Sequence, residues 1–144
     1  MSKEPRDERR AFAALYLAWV TALVATLGAL FVGEVAGQAP CVLCWYQRIA
    51  MFPLALLLGV ASFRGDRGIW RYGLPLAVAG WLVAAFHVAL YYGLIPPSLE
   101  ACGAGSSCTD AAMEFAGLPL PTLSLLAFSI VVIALSPVIA RRHR

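Results

Sequence analysis

Two cysteines three positions apart, Cys41 and Cys44, lie in the stretch PCVLCWYQR, and Arg48 follows four residues after the second. A pair at this spacing can cycle between dithiol and disulfide, with the thiolate as its reactive form. On a helix the three positions are spaced i, i+3 and i+7, so they share one face. Pro40 suits a helix start, where unpaired N–H groups and the positive end of the dipole stabilise a thiolate. The stretch therefore combines a redox-capable pair with a fixed cation.

The composition indicates that membrane helices position this stretch. Hydrophobic residues make up 61% of the 144 residues and charged residues 13%, whereas a soluble domain has about 45–50% and about 25%. The chain is therefore interpreted as a membrane protein. Its net charge of +3 comes from dispersed residues, which does not favour a nucleic-acid partner.

Four stretches without Asp, Glu, Lys or Arg predict an all-α membrane protein, a bundle of four transmembrane helices in one domain over residues 1–144. A span needs about 20 residues, and the second stretch, 49–63, reaches that length only if its helix begins at Cys41. The predicted helices are 11–32, 41–63, 72–95 and 120–140. A cleaved signal peptide is the alternative for the first stretch, but the three later spans favour a retained helix. Residues 110–116 are predicted to form one or two further helical turns.

The basic residues predict the orientation, because loops rich in Lys and Arg stay cytoplasmic. Apart from Arg48, they precede the first helix, separate the second and third, or follow the fourth. Both termini are therefore predicted to be cytoplasmic, in a bacterial cytoplasmic membrane. Each of the two outer loops then carries a cysteine pair, Cys41 with Cys44 and Cys102 with Cys108. Disulfides persist in the oxidising outer compartment, so the pairs are interpreted as disulfides or dithiols.

Simpler interpretations of these residues stay open. The cysteines could form two structural disulfides or bind a structural zinc, although the spacing of Cys102 and Cys108 is wide for zinc. Arg48 alone could be an anchor that reaches the headgroups. His87, near the outer end of the third helix, either faces the bundle interior and binds a ligand or is tolerated near the interface. The sequence identifies no role for Gln47.

A dithiol at the membrane surface suggests an electron acceptor within the membrane. Oxidation of a dithiol releases two electrons and two protons, and a lipid-soluble quinone accepts both. A cation at Arg48 would stabilise negative charge that develops on a quinone ring near Cys44. This arrangement accounts for the cysteine pair, the helix start and the arginine together. It is preferred to a non-enzymatic membrane scaffold held by disulfides or zinc.

The string CVLCWYQR at the start of the second of four helices, with a second cysteine pair before the fourth, closely resembles the DsbB/BdbC family of disulfide bond formation proteins. AFH in the third helix and SCTD…PLPTLSLLAF before the fourth look most like the BdbC branch. The resemblance implies a thiol–quinone oxidoreductase that reoxidises a DsbA/BdbD-like thioredoxin-fold thiol oxidase. A vitamin-K-epoxide-reductase-like protein is disfavoured, since in that family the loop cysteines precede the C-x-x-C pair.

The family also implies catalytic roles for the cysteines. Cys102–Cys108 resembles the outer disulfide that the reduced partner attacks, with Cys102 as the target. Freed Cys108 would then attack the Cys41–Cys44 disulfide at Cys41. The short GAGSS segment between the loop cysteines leaves the reach of Cys108 as the least secure of these expectations.

The remaining implied roles concern the quinone. Cys44 is implied to be the thiolate that faces it, with Arg48 beside its ring and His87 near the same site. The cofactor is ubiquinone or menaquinone, which the sequence does not distinguish, and no metal ligand is assigned.

Overall fold

The computed structural model describes residues 4–99 and 114–140, and these residues are mostly helical. The helices are α1 (Glu4–Leu30), which continues as a π-helical turn (Phe31–Val35), α2 (Val42–Arg64), α3 (Trp70–Tyr91) and α4 (Leu120–Ala140). Two 3-10 turns (Arg67–Ile69 and Pro97–Leu99) and two short strands, β1 (Glu114–Phe115) and β2 (Leu118–Pro119), complete the described elements.

Three helical segments in the described part are long and apolar enough to cross a membrane, namely Pro5–Val35, Val42–Arg64 and Arg67–Tyr91. A span requires about 20 residues of largely apolar helix. Helix α4 contributes a shorter apolar helical segment, Leu120–Ser136. The chain is therefore a multi-pass helical membrane protein, with three clear candidate spans and a shorter fourth helix.

The helix ends differ from the predicted ones most in α1 and α3. Helix α1 begins at Glu4 rather than at residue 11, because charged side chains oppose burial in hydrocarbon but are compatible with a helix. Helix α3 ends at Tyr91 rather than at residue 95. Gly93 adopts a left-handed φ of 71°, and the Leu94 N–H donates to the Ala89 carbonyl at 2.8 Å, which together terminate the helix. The observed bounds of α2 and α4 lie within one residue of 41–63 and 120–140.

A small hairpin is the exception to the all-α architecture. Glu114 pairs with Pro119 and Phe115 with Leu118 in an antiparallel ladder, so the predicted helical turns over 110–116 are wrong at Glu114 and Phe115. Two left-handed residues after β1 make the tight turn that a two-residue hairpin requires. The first residues of that predicted segment lie outside the described part of the chain.

The four helices form a closed bundle in which α1 and α3 each pack between α2 and α4. Most of the buried core side chains are aliphatic, with one large aromatic ring, Phe128. That ring lies against Gly80 of α3, where an added Cβ would overlap it. Close packing of this kind holds α3 and α4 at short range and fixes the side chains that they present to α2.

The two ends of the bundle carry different side chains. At one end the Arg67 guanidinium donates to the Glu8 carboxylate at 3.0 Å, which joins the start of α1 to the connection between α2 and α3. At the other end the Phe31 and Phe115 rings meet edge to face with centroids 6.3 Å apart. The start of α2, with its cysteines, belongs to this second end. Which end faces the cytoplasm stays a prediction.

Candidate active site

Cys41 is the N-cap residue of α2, one position before the helix begins. Its backbone is extended, with φ −70° and ψ 170°, and its Sγ accepts a hydrogen bond from the Cys44 N–H at 3.3 Å. The usual N-cap residues accept this bond through oxygen, whereas here a sulfur takes that place. Since only 1% of Cys41 is exposed, the helix backbone donates to a sulfur that is shielded from the surroundings.

The two sulfur atoms are close but not bonded. They lie 3.0 Å apart, within hydrogen-bonding distance for sulfur, whereas a disulfide bond is about 2.05 Å long. Cys44 is partly exposed, in contrast to Cys41. The pair can therefore form a disulfide with a small movement, although its two members have different surroundings.

A buried imidazole from α3 completes the surroundings of Cys41. His87 is fully buried, and its Nε2 lies 3.8 Å from the Cys41 Sγ. Its Nδ1 lies 3.0 Å from the Nε2 of Gln47, which is 5% exposed on α2. The structure thus places His87 in the bundle interior, between the amide of Gln47 and the sulfur of Cys41.

Arg48 reaches the opposite neighbour, α1. Its Nη2 donates to the Ala29 carbonyl at 2.7 Å, and its guanidinium lies 5.5 Å from the centre of the Trp45 ring. A Cβ added at Gly33, within the π-helical turn of α1, would lie 2.7 Å from Nη2. The glycine therefore leaves the space that the guanidinium occupies, and the backbone of α1 holds the arginine in place.

A cavity of about 790 Å³ connects these groups to the side of the bundle. Cys44, Gln47, Arg48 and His87 line its inner wall, while apolar residues of α1 and α4 form most of the remainder. Several of those wall residues are themselves exposed on the outer surface of the bundle, among them Val24, Leu27, Leu126 and Ile130. The cavity therefore lies between α1 and α4, on a face that membrane lipid would cover.

The hydrogen bonds of the reduced pair converge on Cys41, which precedes the spanning helix. The hydrogen bond with the Cys44 side chain lowers the pKa of the Cys41 thiol well below its usual range, although burial opposes this shift. His87 and the Cys44 backbone N–H lower that pKa further. In the reduced pair the negative charge is therefore favoured on Cys41, whereas Cys44 is the sulfur that lines the cavity.

The same three side chains bear on the zinc alternative. The ligand atoms of Cys41, Cys44 and His87 all lie within 4.8 Å of one another, which is a spacing that a metal ion could bridge. A structural zinc takes four protein ligands, and the other two candidates, Cys102 and Cys108, lie outside the described residues. The zinc alternative therefore stays open to metal analysis.

The structure brings four of the six predicted site residues together. Cys41, Cys44, Arg48 and His87 lie around the start of α2, whereas Cys102 and Cys108 belong to the segment that is not described. The roles implied for the loop cysteines stay predictions. Gln47, for which the sequence identified no role, joins the group through its hydrogen bond to His87. An amide within an apolar helix was the available signal, since polar groups in a membrane tend to face the bundle interior.

Comparison with known proteins identifies the family of this site. A sequence profile described as "Disulfide bond formation protein DsbB" matches residues 9–137. A "Probable disulfide formation protein" of Metapseudomonas resinovorans is 53% identical over 131 residues, which are 90% of each chain. "Disulfide bond formation protein C" of Bacillus subtilis (strain 168) is 39% identical over 125 residues, covering 83% of this chain and 87% of that protein. Comparison with solved structures gave no match. The resemblance found in the sequence is confirmed.

Proposed function

This chain belongs to the DsbB family of disulfide bond formation proteins, and we propose on that premise that it is a membrane thiol–quinone oxidoreductase. It reoxidises an extracytoplasmic thioredoxin-fold dithiol oxidase of the DsbA/BdbD type and passes the electrons to ubiquinone or menaquinone. Disulfide formation in exported proteins is the outcome. The proposed orientation places both termini in the cytoplasm, with α4 as the fourth span, in a bacterial cytoplasmic membrane.

One observation carries the proposal: a thiol, a guanidinium and an imidazole meet in a cavity that opens between two membrane helices. Cys44, Arg48 and His87 share this cavity, and the rest of its wall is largely apolar. A soluble substrate would not need a site with this surface. A lipid-soluble molecule with a polar ring and an apolar tail matches both parts of the wall.

The residues present fit a quinone. When bound, a quinone supplies an acceptor for two electrons and two protons. The hydrogen bond to the Ala29 carbonyl holds the Arg48 guanidinium in position. Its positive charge is therefore preorganised to stabilise the negative charge that would develop on the quinone oxygen atoms. Cys44 presents its sulfur to the same space. Cys41, shielded behind it, is the sulfur with which Cys44 closes the disulfide.

The remaining roles are proposed from the family and concern the loop cysteines. Cys102 and Cys108 form the disulfide that the reduced partner attacks, with Cys102 as the target. Cys108 then passes the oxidising equivalent by attacking Cys41. Two electrons thus travel from the partner dithiol through both pairs, and each pair returns to its disulfide form.

Anaerobic quinone reduction by the purified protein in detergent tests this proposal. The fully reduced protein, freed of reductant, is mixed with a soluble quinone, and remaining thiols are counted by the mass shift on alkylation. Wild type is expected to lose thiols in step with quinol formation. Arg48→Ala is expected to slow the reaction about a hundredfold, the order found when one preorganised donor is removed.

A matched arginine controls for general effects of the substitution. Arg71 lies over the Trp70 ring at 6.0 Å, much as Arg48 lies over Trp45, but it does not line the cavity. Arg71→Ala should therefore reduce quinone at the wild-type rate. Equal rates for wild type and Arg48→Ala, or thiols that ignore quinone, would contradict the proposal.

A further inference from the structure

The contact between Gln47 and His87 bears on which imidazole nitrogen carries the proton. The side-chain Nε2 of Gln47 is a donor group, and it lies 3.0 Å from the Nδ1 of His87. A neutral imidazole has one donor and one acceptor nitrogen. With Nδ1 accepting from the amide, the proton must be on Nε2.

In that tautomer the protonated nitrogen faces the sulfur of Cys41. The Nε2 of His87 lies 3.8 Å from the Cys41 Sγ, a distance suited to a hydrogen bond that involves sulfur. Both side chains are fully enclosed by protein, with exposures of 0% and 1%. Water therefore does not compete for the donor, and a hydrogen bond to a charged acceptor is strong under such conditions.

We propose that Gln47 holds His87 in the tautomer with its proton on Nε2, and that His87 then donates to Cys41 and stabilises the Cys41 thiolate. In this step the Cys41 S–H bond breaks and its proton passes to the Cys44 sulfur, 3.0 Å away, while the proton of Cys44 leaves through the cavity that Cys44 lines. The imidazole keeps its own proton. No electron is transferred. His87 contacts a reacting atom and is a catalytic residue, whereas Gln47 acts through it and is a positioning residue.

Among the residues that the structure describes, α2 supplies the titratable and charged groups that lie beside His87. Cys41 and Cys44 contact one another beside it, and Arg48 lines the same cavity. The residues of α1 and α4 that line this cavity carry no titratable or charged side chain. Arg48 adds to the positive potential at the pair. Comparison of Arg48→Ala, which removes this charge, with Arg48→Lys, which preserves it, separates the field of Arg48 from the hydrogen bond of His87.

A thiolate titration of the reduced pair tests the proposal. In a Cys102→Ser, Cys108→Ser background the pair holds the two remaining cysteines of the four, and ultraviolet thiolate absorbance is followed against pH. His87→Ala is expected to raise the first titration midpoint by about one to two pH units, the strength of a hydrogen bond to a charged group. His87→Gln retains an N–H donor and should recover part of the shift.

Gln47→Ala is expected to raise the midpoint by less, because the imidazole remains but is no longer confined to one tautomer. Gln47→Asn, which preserves the amide, should restore part of the effect if the chain adjusts. Ser129→Ala provides the control, since it removes a 2.9 Å hydrogen bond from Trp81 between α3 and α4 and should leave the midpoint unchanged.

Nitrogen NMR of the wild-type site supplies a readout that does not depend on a destabilising variant. The chain has two histidines, so His143→Gln leaves His87 as the sole labelled imidazole. The proposal predicts a protonated Nε2 and an unprotonated Nδ1, and mixed tautomers in Gln47→Ala. A protonated Nδ1 in the wild type, or equal midpoints in wild type and His87→Ala, would overturn it.

The inference rests on the proposed function in that the pair must be a working dithiol, but neither measurement requires quinone. If the midpoints shift as expected while the wild type fails to reduce quinone, the inference stands and the proposed function fails. If quinone is reduced normally but the midpoints and tautomer do not depend on Gln47 and His87, the inference fails alone.

Discussion

The two sulfurs of the C-x-x-C pair lie 3.0 Å apart, but they belong to different regions of the molecule. Cys41 is enclosed between α2 and α3, where it accepts from the helix backbone and faces His87. Cys44 faces the cavity between α1 and α4, together with Arg48. One region is closed and rich in hydrogen-bond donors, whereas the other is open and largely apolar.

The difference suggests a division of labour within one disulfide. A sulfur that must carry charge benefits from fixed donors and from the absence of competing water. A sulfur that must meet a lipid-soluble molecule needs an opening to the membrane. Neighbouring residues of α2 maintain both conditions, because Gln47 bonds to α3 and Arg48 bonds to α1.

The largest expected effect comes from removing the sulfur on the open side. Cys44→Ser should abolish quinone-dependent reoxidation of a reduced DsbA-type partner, because no disulfide can then form with Cys41. The reaction is followed by partner thiol content. Ser136→Ala, which changes a hydroxyl on the exposed side of α4, should retain wild-type turnover. Normal turnover in Cys44→Ser would contradict the role of Cys44 as the sulfur that faces the quinone.

A second prediction compares the two sulfurs directly, in variants that keep a single cysteine. An uncharged apolar maleimide should modify Cys44 at least about tenfold faster than Cys41, because partly exposed thiols react while buried ones are inert. The measurement is the rate of mass gain in detergent at one pH.

The control for this comparison is the same pair of variants unfolded in denaturant, where the two rates should become similar. Equal rates in the folded protein, or faster modification of Cys41, would show that Cys41 is as accessible to the reagent as Cys44.

The smallest expected effect concerns the support of Arg48. Gly33→Ala would place a Cβ 2.7 Å from the Arg48 Nη2, so the guanidinium must shift. We expect quinone reduction to slow by roughly two- to tenfold, less than in Arg48→Ala, since small misplacements of a positioned group lower rates. Gly73→Ala on α3 lies outside the cavity lining, and its added Cβ would meet other atoms at ordinary contact distances of 3.6 Å or more, so this control should leave the rate unchanged. Identical rates of quinone reduction in the two glycine variants would show that Gly33 is not needed to position Arg48.

The sequence predicted the positions of the helices because the signals for them are local. Long stretches without charge indicate membrane helices, and α2 lies at Val42–Arg64 where 41–63 was expected. The shared face of Cys41, Cys44 and Arg48 followed from helical periodicity alone. The start of α1 at Glu4 was missed. A stretch without charge indicates which residues can lie in the hydrocarbon of a membrane, but it does not indicate where the helix begins.

Contacts between helices could not be read from the sequence in the same way. Gln47 meets His87 forty positions later in the chain, and the pairing depends on how α2 and α3 are rotated against each other. Arg48 donates to the Ala29 carbonyl just before a π-helical turn that follows α1, and no periodic pattern indicated either feature. Both contacts join residues that are far apart in the sequence and depend on how the helices pack. The C-x-x-C motif, in contrast, is defined by neighbouring residues of the sequence.

The most direct test of the central claim uses the Cys102→Ser, Cys108→Ser variant, in which Cys41 and Cys44 are the remaining thiols. The reduced protein is mixed with a soluble quinone under argon, and thiols, quinol and bound metal are measured together. A working redox pair should lose two thiols for each quinone reduced. Retention of both thiols with no quinol formed, or a bound zinc that accounts for their protection, would contradict the account.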